Sequence, residues 1–264
     1  MTPSLTVSDL ETFITDSGWS PDNRKNDRDR KDLSGENHTS VLVFAEENCV
    51  YALDIDGHVR KLAERERWIS SIESKGSHIY DACEDYNIYE TLSSRIIGTR
   101  RLKIRTLCSY KNELLDAGDY QDIISTKSQE TYYGWNGNVF SLTSHDRGLF
   151  GACKEGLFDL TNKQEVRDRH KSFEGLCALV SFEESLICGM DDGRMFEIGG
   201  CTPLGKRDYE INDFCVHEGT LYDAGCSRIV HTLTKKVVIQ RENTITAVCT
   251  HPRRYLVEEG ILPP

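Results

Sequence analysis

Large apolar residues recur along the chain with a period of about 35 residues. Each copy opens with two apolar residues three positions apart; a third follows eleven positions after the first, and a fourth eight positions later. Five copies match at all four positions, and they begin at Ile69, Ile104, Val139, Leu176 and Ile211. Such fixed spacing is the signature of a repeat architecture, in which each unit buries its apolar positions against its neighbours.

Incomplete copies flank these five. Residues 40–59 keep three of the four positions, with Ser40 where the first apolar residue is expected. At the other end Ile245, Val248 and Leu256 begin a further copy, which the chain does not complete. Counting each incomplete copy as a unit predicts seven units, with six as the alternative.

Within each copy the apolar residues fall in short runs of four to seven residues, separated by turns. Runs of this length are typical of β-strands, since helical repeats of the same period need longer amphipathic stretches. Asp56-Gly57 and Asp192-Gly193 are interpreted as turns between the second and third runs of their copies. Asp-Gly favours the positive φ of a two-residue hairpin, so these runs are expected to be antiparallel neighbours.

Three segments show the repeat most clearly: HIYDACEDYNIYETL (78–92), ELLDAGDYQDIIST (113–126) and TLYDAGCSRIVHTL (220–233). They resemble the second and third strands of WD-repeat and related propellers. The resemblance covers about residues 40–260 and holds only at the level of the repeat, because the Trp-Asp and Gly-His pairs of WD repeats are missing. It implies an all-β fold, a β-propeller of four-stranded antiparallel blades, in which one blade is completed from both ends of the chain.

The expected domain organisation has two parts. Residues 40–264 form the propeller, and residues 1–39 form an N-terminal segment. In that segment Leu5–Val7 is a candidate closing strand and Ser8 a candidate cap for a short helix. Residues 21–37 are too polar to pack and are expected to form a flexible charged loop.

Charge narrows the choice of partner. The chain has 32 Lys and Arg against 43 Asp and Glu, a formal net charge of −11. An acidic protein is repelled by phosphate backbones and anionic lipid, which argues against nucleic acid and membrane as partners. No secretory signal or apolar span is visible, so a cytoplasmic location is expected. The ten cysteines include no CxxC pair, which indicates reduced core thiols and no metal or other cofactor.

An aspartate follows the third apolar position in three copies: Asp81, Asp116 and Asp223. Blade interiors are covered on both faces, so these carboxylates are expected to be buried and to accept hydrogen bonds. Repetition favours a structural role, because blades share scaffolding rather than a single active site. The alternative is a ring of acids that binds a cation in the central channel.

The turns between second and third strands are rich in acids and are expected to emerge on one face. Two of them add tyrosines in adjacent blades. Acids beside aromatic rings suit a basic peptide, although Asp and Asn are common in turns for conformational reasons alone. A second aromatic group in TYYGWNGN is either an exposed anchor or outer-strand packing. The candidate partner-binding residues are Asp85, Tyr86, Asp119, Tyr120, Asp191, Asp192, Tyr132, Tyr133 and Trp135.

No nucleophile elbow, P-loop, HExxH or dinucleotide-binding glycine pattern is present in the sequence. The leading hypothesis is a protein-interaction module or scaffold, a monomeric propeller within a complex, which presents an acidic face to a protein or peptide. The alternative is a metal-assisted hydrolase or lyase, with side chains from several blades meeting at the mouth of the channel. The sequence favours the non-enzymatic hypothesis.

Overall fold

Six four-stranded antiparallel sheets make up the structure, a computed structural model that describes residues 40–120, 122–135, 137–146, 148–166, 175–198 and 202–263. We name the sheets blades I to VI. The strand, helix and charged loop expected within residues 1–39 lie outside the described residues. Blade I contains β1 (Ser40–Glu46), β2 (Cys49–Leu53), β3 (Val59–Glu64) and, from the far end of the chain, β24 (Ile245–Pro252).

Blades II to VI each consist of four consecutive strands. Blade II contains β4 (Ile69–Lys75), β5 (His78–Cys83), β6 (Asn87–Glu90) and β7 (Arg95–Thr99). Blade III contains β8 (Ile104–Tyr110), β9 (Glu113–Gly118), β10 (Ile123–Ser125) and β11 (Thr131–Tyr133). Blade IV contains β12 (Val139–His145), β13 (Gly148–Cys153), β14 (Gly156–Asp159) and β15 (Gln164–Glu165). Blade V contains β16 (Leu176–Phe182), β17 (Ser185–Met190), β18 (Arg194–Ile198) and β19 (Pro203–Lys206). Blade VI contains β20 (Asp213–His217), β21 (Thr220–Gly225), β22 (Arg228–His231) and β23 (Val237–Gln240).

The blades are arranged in a closed ring. The first strands, β24, β4, β8, β12, β16 and β20, contact one another in that cyclic order, and β20 returns to β24. They are therefore the inner strands around the channel, and β3, β7, β11, β15, β19 and β23 are the outer ones. The prediction of a β-propeller with four-stranded antiparallel blades is confirmed.

The favoured count of seven blades is wrong, and the alternative of six is correct. The two incomplete copies are parts of the same blade, because β24 pairs with β1 from Ser40–Pro252 to Glu46–Ile245. The last copy supplies the inner strand, and residues 40–64 supply the other three. This pairing leaves neither β1 nor β24 as an exposed seam edge, where unpaired backbone groups would invite aggregation.

Because the two incomplete copies form one blade, two residue positions differ from those predicted. Because β1 is a second strand rather than an inner one, Asp56-Gly57 lies between the third and fourth strands of its blade, not between the second and third. Asp192-Gly193 does lie between second and third strands. Leu256, expected on a strand, lies in helix α1 (Arg253–Glu258) and is fully buried against blades I and II.

Apolar clusters fill the spaces between neighbouring blades. Ile69 and Ile72 of β4 are 0% and 3% exposed, and they pack against Val43 and Val50 of blade I. The opening apolar pair of each repeat therefore faces the preceding blade. Each fully buried Leu or Ile contributes about 1.5–3 kcal/mol, so the ring is held mainly by these interfaces.

Hydrogen bonds between inner strands add a second connection. In four blades a side-chain oxygen at the same strand position accepts a backbone N–H from the next inner strand. The pairs are Ser71 with Leu107 at 3.0 Å, Thr106 with Leu142 at 3.1 Å, Ser141 with Leu179 at 3.1 Å, and Asp213 with Val248 at 2.9 Å.

Candidate protein-interaction face

One face of the propeller carries the turns between second and third strands, together with the connectors that lead from each outer strand to the next inner strand. Antiparallel pairing places these segments at the same end of every blade. We call it the connector face. In blades II and III its described parts are connectors 65–68 and 100–103, turn 84–86, and residues 119, 120 and 122 of the turn between β9 and β10.

A buried ion pair holds the first of these connectors. Asp81, 0% exposed, accepts hydrogen bonds from Nε and Nη2 of Arg65, both at 2.7 Å. The hydroxyl of Thr91 donates a third at 2.8 Å. Bidentate pairing of guanidinium and carboxylate is strong and directional. It fixes Arg65, and with it the start of the connector that continues to Trp68.

The same arrangement recurs in blades III and VI. Arg100 donates to Asp116 and Arg207 to Asp223, each across 16 residues, as Arg65 does to Asp81. Thr126 donates a hydroxyl hydrogen bond to Asp116 at 2.7 Å. The repeat pattern in the sequence indicated the three aspartates but not the arginines. The constant spacing of 16 residues was a signal that could have found them.

The other three blades use apolar residues at the equivalent position of the second strand. In each blade this position pairs across the sheet with the second apolar residue of the inner strand. The residues are Phe44, Gly151 and Cys188. Beside Gly151 the side chain of Leu160 occupies the space that an acid would need. The fold thus accepts either a complete ionic group or an apolar one at this position, as expected when an unpaired buried charge is costly.

Backbone hydrogen bonds join the connectors and turns of blades II and III into one surface. The N–H of Glu84 donates to the carbonyl of Trp68 at 2.9 Å, and the N–H of Arg100 donates to that of Tyr86 at 2.8 Å. The N–H of Asp119 donates to the carbonyl of Lys103 at 3.0 Å. Segments that are far apart in sequence are therefore direct neighbours here.

This surface exposes four large side chains, which we call the contact patch: Trp68 (48% exposed), Tyr86 (45%), Leu102 (42%) and Tyr120 (63%). The other exposed large apolar residues that the structure describes lie on outer strands or at Ile55. The two tyrosines were predicted from the sequence, whereas Trp68 and Leu102 were not. Each of the latter is an apolar residue in an otherwise charged connector, a signal that could have found them.

Both tyrosines have a backbone conformation that disfavours bulky side chains. Tyr86 has φ of +68° and Tyr120 of +46°, in the left-handed region. In blade V the equivalent turn position is Gly193, which closes the same turn by donating its N–H to Met190 at 3.1 Å, as Tyr86 does to Cys83 at 3.0 Å. A tyrosine in this conformation is less favourable for stability than a glycine would be.

Three of the acids predicted to form an acidic face have basic partners of their own. Glu84 pairs with Lys103, Asp119 with Arg105, and Asp192 with Arg194. Asp85 accepts hydrogen bonds from the Asn87 N–H at 3.0 Å and the Tyr89 hydroxyl at 2.5 Å. Asp191 is exposed, while Asp54 and Asp56 lie in a turn of the opposite face. Local pairing thus neutralises much of the expected charge.

The aromatic group at 132–135 is divided between two environments. Tyr132 is 40% exposed on β11, with its ring edge-on to Tyr110 at 5.8 Å. Tyr133 and Trp135 pack against the core between blades III and IV, and Trp135 lies 4.6 Å from the ring of Phe158. These three residues therefore do not form one exposed anchor.

Two carboxyl groups on inner strands are weaker acids than usual. Burial raises the pKa of Asp213 to about 7, against the opposing effect of hydrogen bonds from Val248 and Phe214. Burial, aided by the charge of Asp213, raises the pKa of Glu73 to about 7. Within the described ranges, no three His, Cys, Asp or Glu side chains are grouped so that they could hold a metal ion.

On the face opposite the connector face, a cavity of about 380 Å³ is lined by Ser109, Tyr110, Lys111, Ser144 and Asp146. The nine cysteines that the structure describes are free thiols, and seven of them are buried. The described part of the chain contains no helix with the length and apolar character needed for a membrane span.

Comparisons with known proteins support the fold. No family model and no curated protein sequence matches the chain. Among solved structures, a chain of a nidogen/laminin complex is similar with a TM-score of 0.60 at 8% identity, covering 80% of this chain and 98% of that one. A chain of a mitotic checkpoint complex is similar with a TM-score of 0.53 at 13% identity, covering 81% and 78%. At these identities the likeness shows the fold alone: the chain is a β-propeller.

Proposed function

We propose that the chain is a protein-interaction module that binds its partner through the connector face of blades II and III. The contact patch is the observation that carries this proposal. Exposed aromatic and large aliphatic side chains are the usual anchors of protein interfaces, where a few of them supply most of the binding energy. Both similar structures described above are of protein complexes, and propeller folds commonly mediate protein interactions.

The loops that carry the patch are well suited to this role. Arg65 and Arg100 fix the starts of the two connectors through buried carboxylates, and backbone hydrogen bonds tie each connector to a turn. A surface already held in its bound shape loses little conformational entropy on binding. The acidic face, the basic partner and the enzyme alternative suggested by the sequence remain predictions.

Site-specific photo-crosslinking in cells that produce the protein tests the proposal. A benzophenone side chain replaces Tyr120 in one variant and Ile96 in a control variant. Ile96 is 53% exposed on the outer strand of blade II, so it matches Tyr120 in exposure but not in location. We expect a discrete protein adduct from position 120 only. Equal yields from both positions, or no adduct from position 120, would contradict the proposal.

A further inference from the structure

Two carboxylates beside the contact patch have little free charge to offer a basic partner. Glu84 and Asp119 are paired with Lys103 and Arg105 through direct side-chain contacts. Asp85, the remaining acid of the blade II turn, accepts the Tyr89 hydroxyl. An incoming lysine or arginine must displace an existing bond at each of the two ion pairs, which reduces the net gain.

Two arginines beside the contact patch are exposed and have charge available for a partner. Arg67 directly precedes Trp68, and Arg101 directly precedes Leu102; both are exposed. Neither forms an ion pair with any residue in the described ranges, whereas Arg65 and Arg100 in the same connectors are engaged with buried aspartates. The cations available to a partner therefore lie next to two of the four apolar side chains.

We infer that the contact patch binds a protein segment that combines apolar side chains with Asp or Glu, and that its carboxylates pair with Arg67 and Arg101. This inference rests on the proposed function and specifies a partner whose charge is opposite to that of the basic partner predicted from the sequence. Guanidinium groups suit carboxylates because they can donate two parallel hydrogen bonds. The net charge of −11 opposes long-range attraction, but screening over about 8 Å at physiological salt leaves the local pairs dominant.

Selection of peptides from a random dodecapeptide library on the full chain provides the test. Peptides are retained only if Leu102→Asp abolishes their binding, so that every one of them uses the patch. We expect these peptides to be enriched in Asp and Glu beside Leu, Phe or Trp. We expect the double variant Arg67→Glu/Arg101→Glu to weaken them about tenfold or more. Lys127→Glu, an exposed charge reversal on the opposite face, is the matched control and should leave the affinity unchanged.

Three results would overturn the inference. One is retained peptides rich in Lys or Arg; another is retained peptides that bind the double variant as well as the original protein. The third is binding of the protein to phosphatidylserine vesicles that depends on Trp68, which would assign the patch to a membrane. The first two leave the proposed function intact, because those peptides still bind at the patch. Circular dichroism of each variant confirms that the fold is retained.

Discussion

Replacing Asp81 by alanine should lower the free energy of unfolding by about 3–5 kcal/mol, because it leaves a buried guanidinium without its carboxylate. Arg65 has a side chain only 4% exposed, so water cannot replace the two lost hydrogen bonds. The hydroxyl of Thr91 loses its acceptor as well. For a domain of this size the loss corresponds to a decrease in melting temperature of about 6–20 °C.

Urea denaturation followed by circular dichroism measures this change. The matched control is Asp56→Ala, an exposed aspartate of blade I, for which we expect a change within about 0.5 kcal/mol. The double variant Arg65→Leu/Asp81→Ala should be more stable than Asp81→Ala alone, because the unpaired charge is then absent, as it is in blades I, IV and V. A loss below about 1 kcal/mol for Asp81→Ala, or a double variant less stable than the single one, would refute the reasoning.

Three further predictions concern other parts of the ring. Asp213 should make stability fall as pH rises. Burial raises its pKa in the folded protein to about 7, above the ordinary aspartate value of 3.8, so the stabilisation present at low pH is lost as pH rises through 7, at up to about 1.4 kcal/mol per unit. Asp213→Ser, which imitates Ser71, should flatten this dependence in unfolding titrations between pH 5 and 8, and an unchanged slope would contradict it. Tyr86→Gly should raise the free energy of unfolding by up to about 1 kcal/mol, because glycine tolerates the positive φ of this turn and Gly193 occupies the equivalent turn of blade V. Cross-linking from position 120 should decrease in the same variant. A destabilised variant would show that the ring of Tyr86 supports the fold. Leu256→Ala should cost about 2–5 kcal/mol in the same denaturation assay, and a change below 0.5 kcal/mol would mean that α1 does not help to close the ring.

The structure of a single blade could be predicted from the sequence. Buried positions of an inner strand must be apolar in every blade, so Ile69, Ile104 and their equivalents leave a period that can be read directly. The same reasoning located Tyr86 and Tyr120 in turns of adjacent blades. These features depend on burial and on turn conformation, which act through residues close together in the chain.

Contacts between distant segments could not be predicted from the sequence and became visible in the folded structure. The blade count depended on the pairing of Ser40 with Pro252, and a local pattern does not state which strand edges join across some 200 residues. The same limit applies to the contact patch, where Trp68 and Leu102 become neighbours of the turns through backbone hydrogen bonds between separate loops. It applies also to charge, because Asp119 contributes to an acidic face only if Arg105 is elsewhere, and the fold places the two side by side. Hydrogen bonds and ion pairs act over a few ångströms of space, whatever the separation of the residues along the chain.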